Sequence, residues 1–529
     1  MNPLRLTLVA LAFAITGPVV AQEKAPPPRE VVGPTVEETV RKIDGHLAAF
    51  WSRNGIIPAA FADDAEFLRR LSLDLVGRIP TAAEARAYIE NKDPDKRTKK
   101  VDELLARPGF LNHMASVLRQ AWVPQTLDNP QLQFIAPFFE GWVRTKLKDK
   151  VPMDQVVREL LTVRTLFAGR GAESFRQEQT DSPFAFVQAN EFKPENVAAA
   201  ASRLFMGVKI ECAQCHNHPF APYKKEQFWE LAAFFAEVQP AIANISDPKY
   251  KREIKIPDVP KMVQARFFND TKEPAWDAKK SPRETFADWL TAKDNPFFAR
   301  NMVNRTWAHF LGHGLIEPID EPSEDNPPAI PELLDEVSKS YIASGYDTRF
   351  LIRVVTRSQA YRLTSKQTHA SHVEPQRFAR VAVKAMSGQQ LFDSLATATG
   401  FIDGRPARDR QFFGMRSEFV TKFGSTEKLT EKQTSILQAL TLMNGRFVND
   451  QTSLDRSQFL AGVIDAPFLD THGKVETLFL AALTRRPTQA EAEKFASYVD
   501  RGASTGDQKK AMTAGFRALL NSSEFVLNP

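Results

Sequence analysis

The chain has 529 residues, with 69 basic and 64 acidic side chains and a formal net charge of +5. That balance is mild and interspersed, without a basic stripe interleaved with aromatics, so nucleic acid is not the expected partner. Apolar residues make up 43 % and 39 phenylalanines stand against 7 tyrosines, enough to fill the interiors of two or three domains of ordinary size.

The first 21 residues read as a secretory leader. Arg5 supplies a positive start, residues 6–15 are apolar, Gly17 and Pro18 break the run, and Val19, Val20 and Ala21 offer small side chains before a cut after Ala21. The run is short for a bilayer span, and no later stretch is long and apolar enough for one. The expected product is exported, periplasmic or extracellular. Residues 22–35, rich in Pro and charge, read as a linker.

From 36 to 245 the pattern predicts a helical domain. Val40, Ile43, Leu47 and Phe50 recur at helical spacing over 36–51, and Leu68, Leu71 and Leu75 continue it over 67–75. Further helices are expected at 101–105, 138–147, 156–161, 197–206 and 225–238. Residues 246–280 change character, with short strands at 251–256 and 263–268, and are read as a junction. Helical patterning then fills a second domain, 281–529, with candidates at 297–311, 331–343, 348–358, 389–399, 434–443, 475–483 and 509–520. The fold class is therefore mainly α: two helical domains around a short β-containing junction. Two segments echo each other: Arg78-Ile79-Pro80-Thr81 with Glu84, and Arg485-Arg486-Pro487-Thr488 with Glu491. In each, Thr-x-x-Glu is a capping box that opens a helix after a turn, which speaks of folding rather than chemistry.

Both cysteines of the chain lie in one motif, Cys212-Ala213-Gln214-Cys215-His216, the C-x-x-C-H pattern of c-type haem attachment. Thiols at i and i+3 project from one face of a turn, each able to add to a porphyrin vinyl group, with the adjacent imidazole placed to bind iron. Export and the motif agree, because bacterial haem of this type is attached outside the cytoplasm. His309, on an aromatic helix beside Trp307 and Phe310, is the candidate for the opposite iron face, ahead of Met302 and His313. His218, held by Pro219 two residues from His216, is not. Two other readings of the same residues stand. Cys212, Cys215 and His218 have zinc-ligand spacing, with His309 as an outside fourth ligand, and the two thiols could form a local disulfide or redox pair.

Several blocks together resemble a known pairing. They are residues 67–81 (FLRRLSLDLVGRIPT), 212–220 (CAQCHNHPF), 295–310 (NPFFARNMVNRTWAHF), 326–335 (NPPAIPELLD), 442–445 (LMNG) and 519–525 (LLNSSEF). The chain is similar, from about Val36 to its C-terminus, to the planctomycete domains of unknown function numbered 1549 and 1553, which occur with planctomycete cytochrome c domains. The resemblance implies an exported, mostly helical, two-domain protein linked to c-type cytochromes, which become the expected partners. The separate cytochrome domain of some members is missing here. Asn217 stands where the pattern leads one to expect Asp, removing a carboxylate that could support His216 or His218.

The other signals favour ordinary structure. His309 and His313 lie at i and i+4, but Gly312 and Gly314 mark a helix end. Glu317, Asp320, Glu321, Glu324 and Asp325 read as a solvated acidic loop whose spacing fits no EF-hand. Nucleophile-elbow and phosphate-loop motifs are lacking, and no carboxylate pair is set apart, so no catalytic residue is assigned. The expected function is an exported c-type cytochrome-like redox protein with one haem at CAQCH. The alternative is a non-redox secreted structural or carbohydrate-associated interaction protein whose motif holds zinc or a disulfide.

Overall fold

Helix starts follow local cap chemistry. Thr35 and Glu38 exchange hydrogen bonds at the head of the Val36–Arg53 helix, and the Asp63 side chain accepts from the Glu66 amide ahead of Asp64–Val76. The computed structural model describes residues 33–163, 182–219, 221–238, 251–270, 272–322, 326–402, 414–423, 429–431, 442, 445–504 and 506–529. The secretory leader, most of the 22–35 linker and nearly all of the 434–443 helix fall outside them. Within them the protein is mainly α, with two small two-stranded sheets. Among the described residues no helix is long and apolar enough to cross a membrane.

The junction strands form as expected but shorter: Glu253–Lys255 pairs antiparallel with Met262–Gln264, Ile254 opposite Val263. Aromatics fasten this hairpin region to the helices. Phe267 stacks on Trp289 with ring centres 4.8 Å apart, and on Phe234 at 5.3 Å. The second sheet has no sequence signal. Lys384–Ala385 pairs antiparallel with Leu527–Asn528, drawing the C-terminal end of the chain inward.

Both copies of the internal echo form capping boxes, Thr81 with Glu84 and Thr488 with Glu491. Each places an arginine on the box carboxylate: Arg78 to Glu84 at 3.5 Å and Arg485 to Glu491 at 2.8 Å. The two hairpins then pack against each other. Arg86 meets Glu476 at 3.5 Å and Arg486 meets Glu90 at 2.6 Å.

The hydrophobic interior does not divide at 246–280. One cluster joins Leu47, Phe67 and Phe110 to Trp307, Leu334 and Tyr361, and another joins Leu73 and Ile79 to Leu395, Leu460 and Phe516. The two sequence segments thus share their cores. The Asp64–Val76 helix lies at the crossing, and every residue from Phe67 to Leu75 is buried. Its polar side chains are paired with elements far along the chain. Arg69 donates to the carbonyls of Ala482 (3.1 Å) and Phe525 (2.7 Å). Arg70 donates to Tyr361 (2.7 Å) and Leu363 (2.9 Å). Asp74 accepts from Lys384 (2.8 Å), Tyr361 (2.8 Å) and Asn528 (2.7 Å). Buried charges persist only when satisfied in this way.

Candidate functional site

The C-x-x-C-H segment follows a helix that changes pitch before it stops. Pro194–Ala201 is α-helical, Ser202–Met206 widens into a π turn, and Gly207 ends it at φ +72°. Glycine is required twice over, since a Cβ here would also lie 2.7 Å from Asn301 Oδ1. Buried anchors then fix the motif. Asn301 Nδ2 donates to the Leu204 carbonyl (2.7 Å), Ser202 Oγ to that of Val208 (2.8 Å), and the Lys209 amide to that of Asp320 (2.9 Å). Ile210 and Ala213 are buried, and Trp229 Nε1 donates to the Gln214 carbonyl at 3.0 Å.

On this pinned 3₁₀ turn, Glu211–Gln214, the reactive groups face outward. Cys212, Cys215 and His216 are exposed, and both thiols are free rather than joined to each other. His216 Nδ1 lies 2.7 Å from the Asn217 carbonyl oxygen. With the ring proton on Nδ1 it donates to that oxygen, and Nε2 keeps its lone pair pointing away from the contact. Asn217 also accepts the Lys225 amide on its side-chain oxygen at 3.0 Å, capping the next helix. The position that seemed a lost carboxylate therefore orients the imidazole through its main chain. The His218 amide donates to the Tyr223 carbonyl (2.8 Å), and its ring stands edge-on to Tyr223 at 5.8 Å. Among the described residues no three His, Cys, Asp or Glu side chains gather as a preformed metal site.

Behind the turn lies an ion network that the sequence did not announce. Arg203 meets Glu211 at 3.4 Å, Arg305 pairs with Asp320, and Arg305 also donates to the Arg203 carbonyl at 2.5 Å. Burial pushes the Glu211 and Asp320 carboxyls up and the Arg305 guanidinium down. The loop read as solvated thus turns Asp320 inward, and Glu317 accepts the Gly314 amide at 2.9 Å. Glu321 faces solvent near Lys209, and Glu324 and Asp325 lie outside the described residues.

The network forms one rim of a cavity of about 630 Å³, whose walls include Met114, Trp122, Met302 and Phe310. His309 and Met302 line this cavity, whereas Cys212, Cys215 and His313 are not part of its wall. The Phe298–Leu311 helix ends where the glycines indicated, at Gly312 with φ +84°. Burial lowers the His309 imidazole to about 4, with the Lys384 ammonium adding to the effect. His113, which no sequence pattern singles out, is lowered to about 3 by burial and by His309 nearby.

These histidines carry a pH signature. Below pH 6.5 the unfolded chain takes up protons that the folded chain refuses, so stability falls as pH drops from 6.5 toward 4, and for His113 toward 3. Carboxyls raised by burial, such as Glu211 and Asp320, act in the opposite sense and offset part of the loss. His113→Gln should flatten the dependence by up to about 1.4 kcal/mol per pH unit. Urea unfolding at several pH values between 6.5 and 4 measures it; an unchanged slope would mean that folded His113 is already charged.

A mainly helical chain with an exposed C-x-x-C-H turn and a shared core defines the class of protein. Residues 42–240 match the family model described as PSCyt2, protein of unknown function (DUF1549), and residues 282–432 match PSD1, protein of unknown function (DUF1553). The chain belongs to the proteins that join a DUF1549 segment to a DUF1553 segment, in that order. Neither the curated proteins nor the solved structures contain a match to it.

Proposed function

We propose that this is an exported c-type cytochrome-like redox protein carrying one covalent haem at Cys212 and Cys215, with His216 as the iron ligand. The observation that carries the reading is the presentation of the motif. Two free, exposed thiols share a turn held from behind, and the His216 ring is oriented by its Nδ1 contact to Asn217, leaving Nε2 for a metal. A ligating histidine is ordinarily oriented by such a second hydrogen bond. Each thiol would add its S–H across one vinyl group, forming a thioether without any oxidant. Bound there, the haem supplies one-electron transfer. The chain's own part is to hold the turn still through Ile210, Ala213 and the Trp229–Gln214 bond, and to keep His216 in one tautomer. The leader at residues 1–21 supports export to the compartment where such attachment takes place, and other exported redox proteins are the matching partners.

The test is an absorption spectrum and metal analysis of the protein exported from a host that matures c-type haem. One iron per chain and a Soret band are expected. A colourless, iron-free product sinks the reading, and one zinc per chain would replace it with the structural zinc alternative.

A further inference from the structure

The cavity of about 630 Å³ lies among three helices, Pro108–Trp122, Phe298–Leu311 and Thr348–Arg357, so both family segments build its wall. Clefts between helices are ordinary places for small molecules to be held. The first helix brings a particular signature. Met114, Val117, Leu118 and Ala121 recur at i, i+3, i+4 and i+7, and all four line the cavity. That spacing is the stripe a helix turns toward a core. Yet only Met114 is buried; Val117 and Leu118 are partly covered and Ala121 is exposed. The stripe therefore lacks a full apolar cover among the described residues. Met302, Phe310 and Leu351 extend the apolar wall, and thioethers adapt to irregular shapes. Water finds few partners on such a surface, and an apolar group that displaces it gains affinity.

The rim is charged, but its charges are already matched. Lys209 and Glu321 stand 3.4 Å apart, both half exposed, and Arg305 pairs with Asp320. Arg203 lies 3.4 Å from Glu211, and Glu317 accepts the Gly314 amide at 2.9 Å. An ionic head group arriving here would lose its hydration and find each opposite charge engaged. An uncharged hydroxyl faces no such penalty, because it can accept from an ammonium and donate to a carboxylate without splitting a pair.

We propose that this cavity binds an uncharged single-chain amphiphile of the long-chain alcohol class. Its alkyl tail covers the Met114–Ala121 stripe, and its hydroxyl rests at the Lys209–Glu321 rim. Neither cysteine lines the site, which does not depend on haem.

The test titrates the full chain with 1-decanol, decanoate and decylammonium at pH 7, as exported wild type and as Cys212→Ser/Cys215→Ser. Saturable binding of decanol is expected, with each ion at least about tenfold weaker because its charge must be desolvated. 1-Octanol should bind roughly 15-fold more weakly than decanol, the loss of two buried methylenes. Ala121→Trp, at an exposed position that tolerates bulk, should fill the wall and weaken every ligand. Glu321→Gln, which leaves Lys209 unmatched, should tighten decanoate about threefold and leave decanol unchanged. The proposal is overturned if decanoate or decylammonium binds as tightly as decanol to the wild-type rim, or if no ligand saturates. Octanol equal to decanol overturns it too, since the tail would then not be buried. So does a haem-loaded wild type that excludes decanol while the cysteine variant binds it, because the cavity would then belong to the haem.

Discussion

Asp74→Ala is expected to lower the unfolding free energy by about 3–5 kcal/mol, read by chemical denaturation, because it strands a buried ammonium. Asp74 is 2 % exposed and Lys384 4 %. Their contact is 2.8 Å, and among the described residues the only other acceptors for Lys384 are the carbonyls of His309 (3.0 Å) and Phe310 (3.1 Å). The same substitution leaves the Tyr361 hydroxyl and the Asn528 amide without their acceptor. Burial holds the Lys384 ammonium below its ordinary range, and Asp74 opposes that shift. With the carboxylate gone the folded-state value falls further. The unfolded chain then binds the proton more tightly, and stability recovers as pH rises toward 10.5. Lys384→Met in the Asp74→Ala background should lose less than the sum of the two single losses. A loss under about 1 kcal/mol in Asp74→Ala would show that the network does not tie the two halves together.

Cys212→Ser/Cys215→Ser, exported beside a haem-maturation system, should keep no haem through denaturation, whereas wild type should stain for covalent haem peroxidase activity. Cys215→Ser alone leaves at most one thioether and should weaken the stain. Both side chains are exposed and carry no core packing, so the fold should change by no more than about 0.5 kcal/mol. That separation matters, since loss of haem with unchanged stability identifies the thiols as chemical groups and not as structural ones. Stain retained by the double variant would refute covalent attachment at these positions.

Much of the helix layout was legible because its causes are local. Thr81 with Glu84 and Thr488 with Glu491 announce helix starts from four residues each, and Gly312 announces a stop. The junction strands were legible from their alternation, though longer in expectation than the pairing of Ile254 with Val263 supports. The chemistry of the turn was legible as residue types only. That Asn217 would orient His216 while capping the following helix depends on how the chain folds back over 217–225.

The Asp64–Val76 helix shows where local reading runs out. Leu68, Leu71 and Leu75 mark one apolar stripe, and by the usual rule Arg69, Arg70 and Asp74 would face water. They are buried, because partners more than 280 residues away supply their hydrogen bonds. The same holds for Lys384 and for the two-residue strand pairing with Leu527–Asn528.

By itself the sequence determined the helical class, the order of the two family segments and the grouping of both thiols with a histidine, since each rests on spacing or caps within a few residues. Only the tertiary structure decided that the segments share their cores, that His309 faces a cavity the thiols do not line, and that Asp320 turns inward to Arg305. Those outcomes follow from burying charges, which is favourable only when distant groups arrive to satisfy them, and no short window of sequence records that arrival.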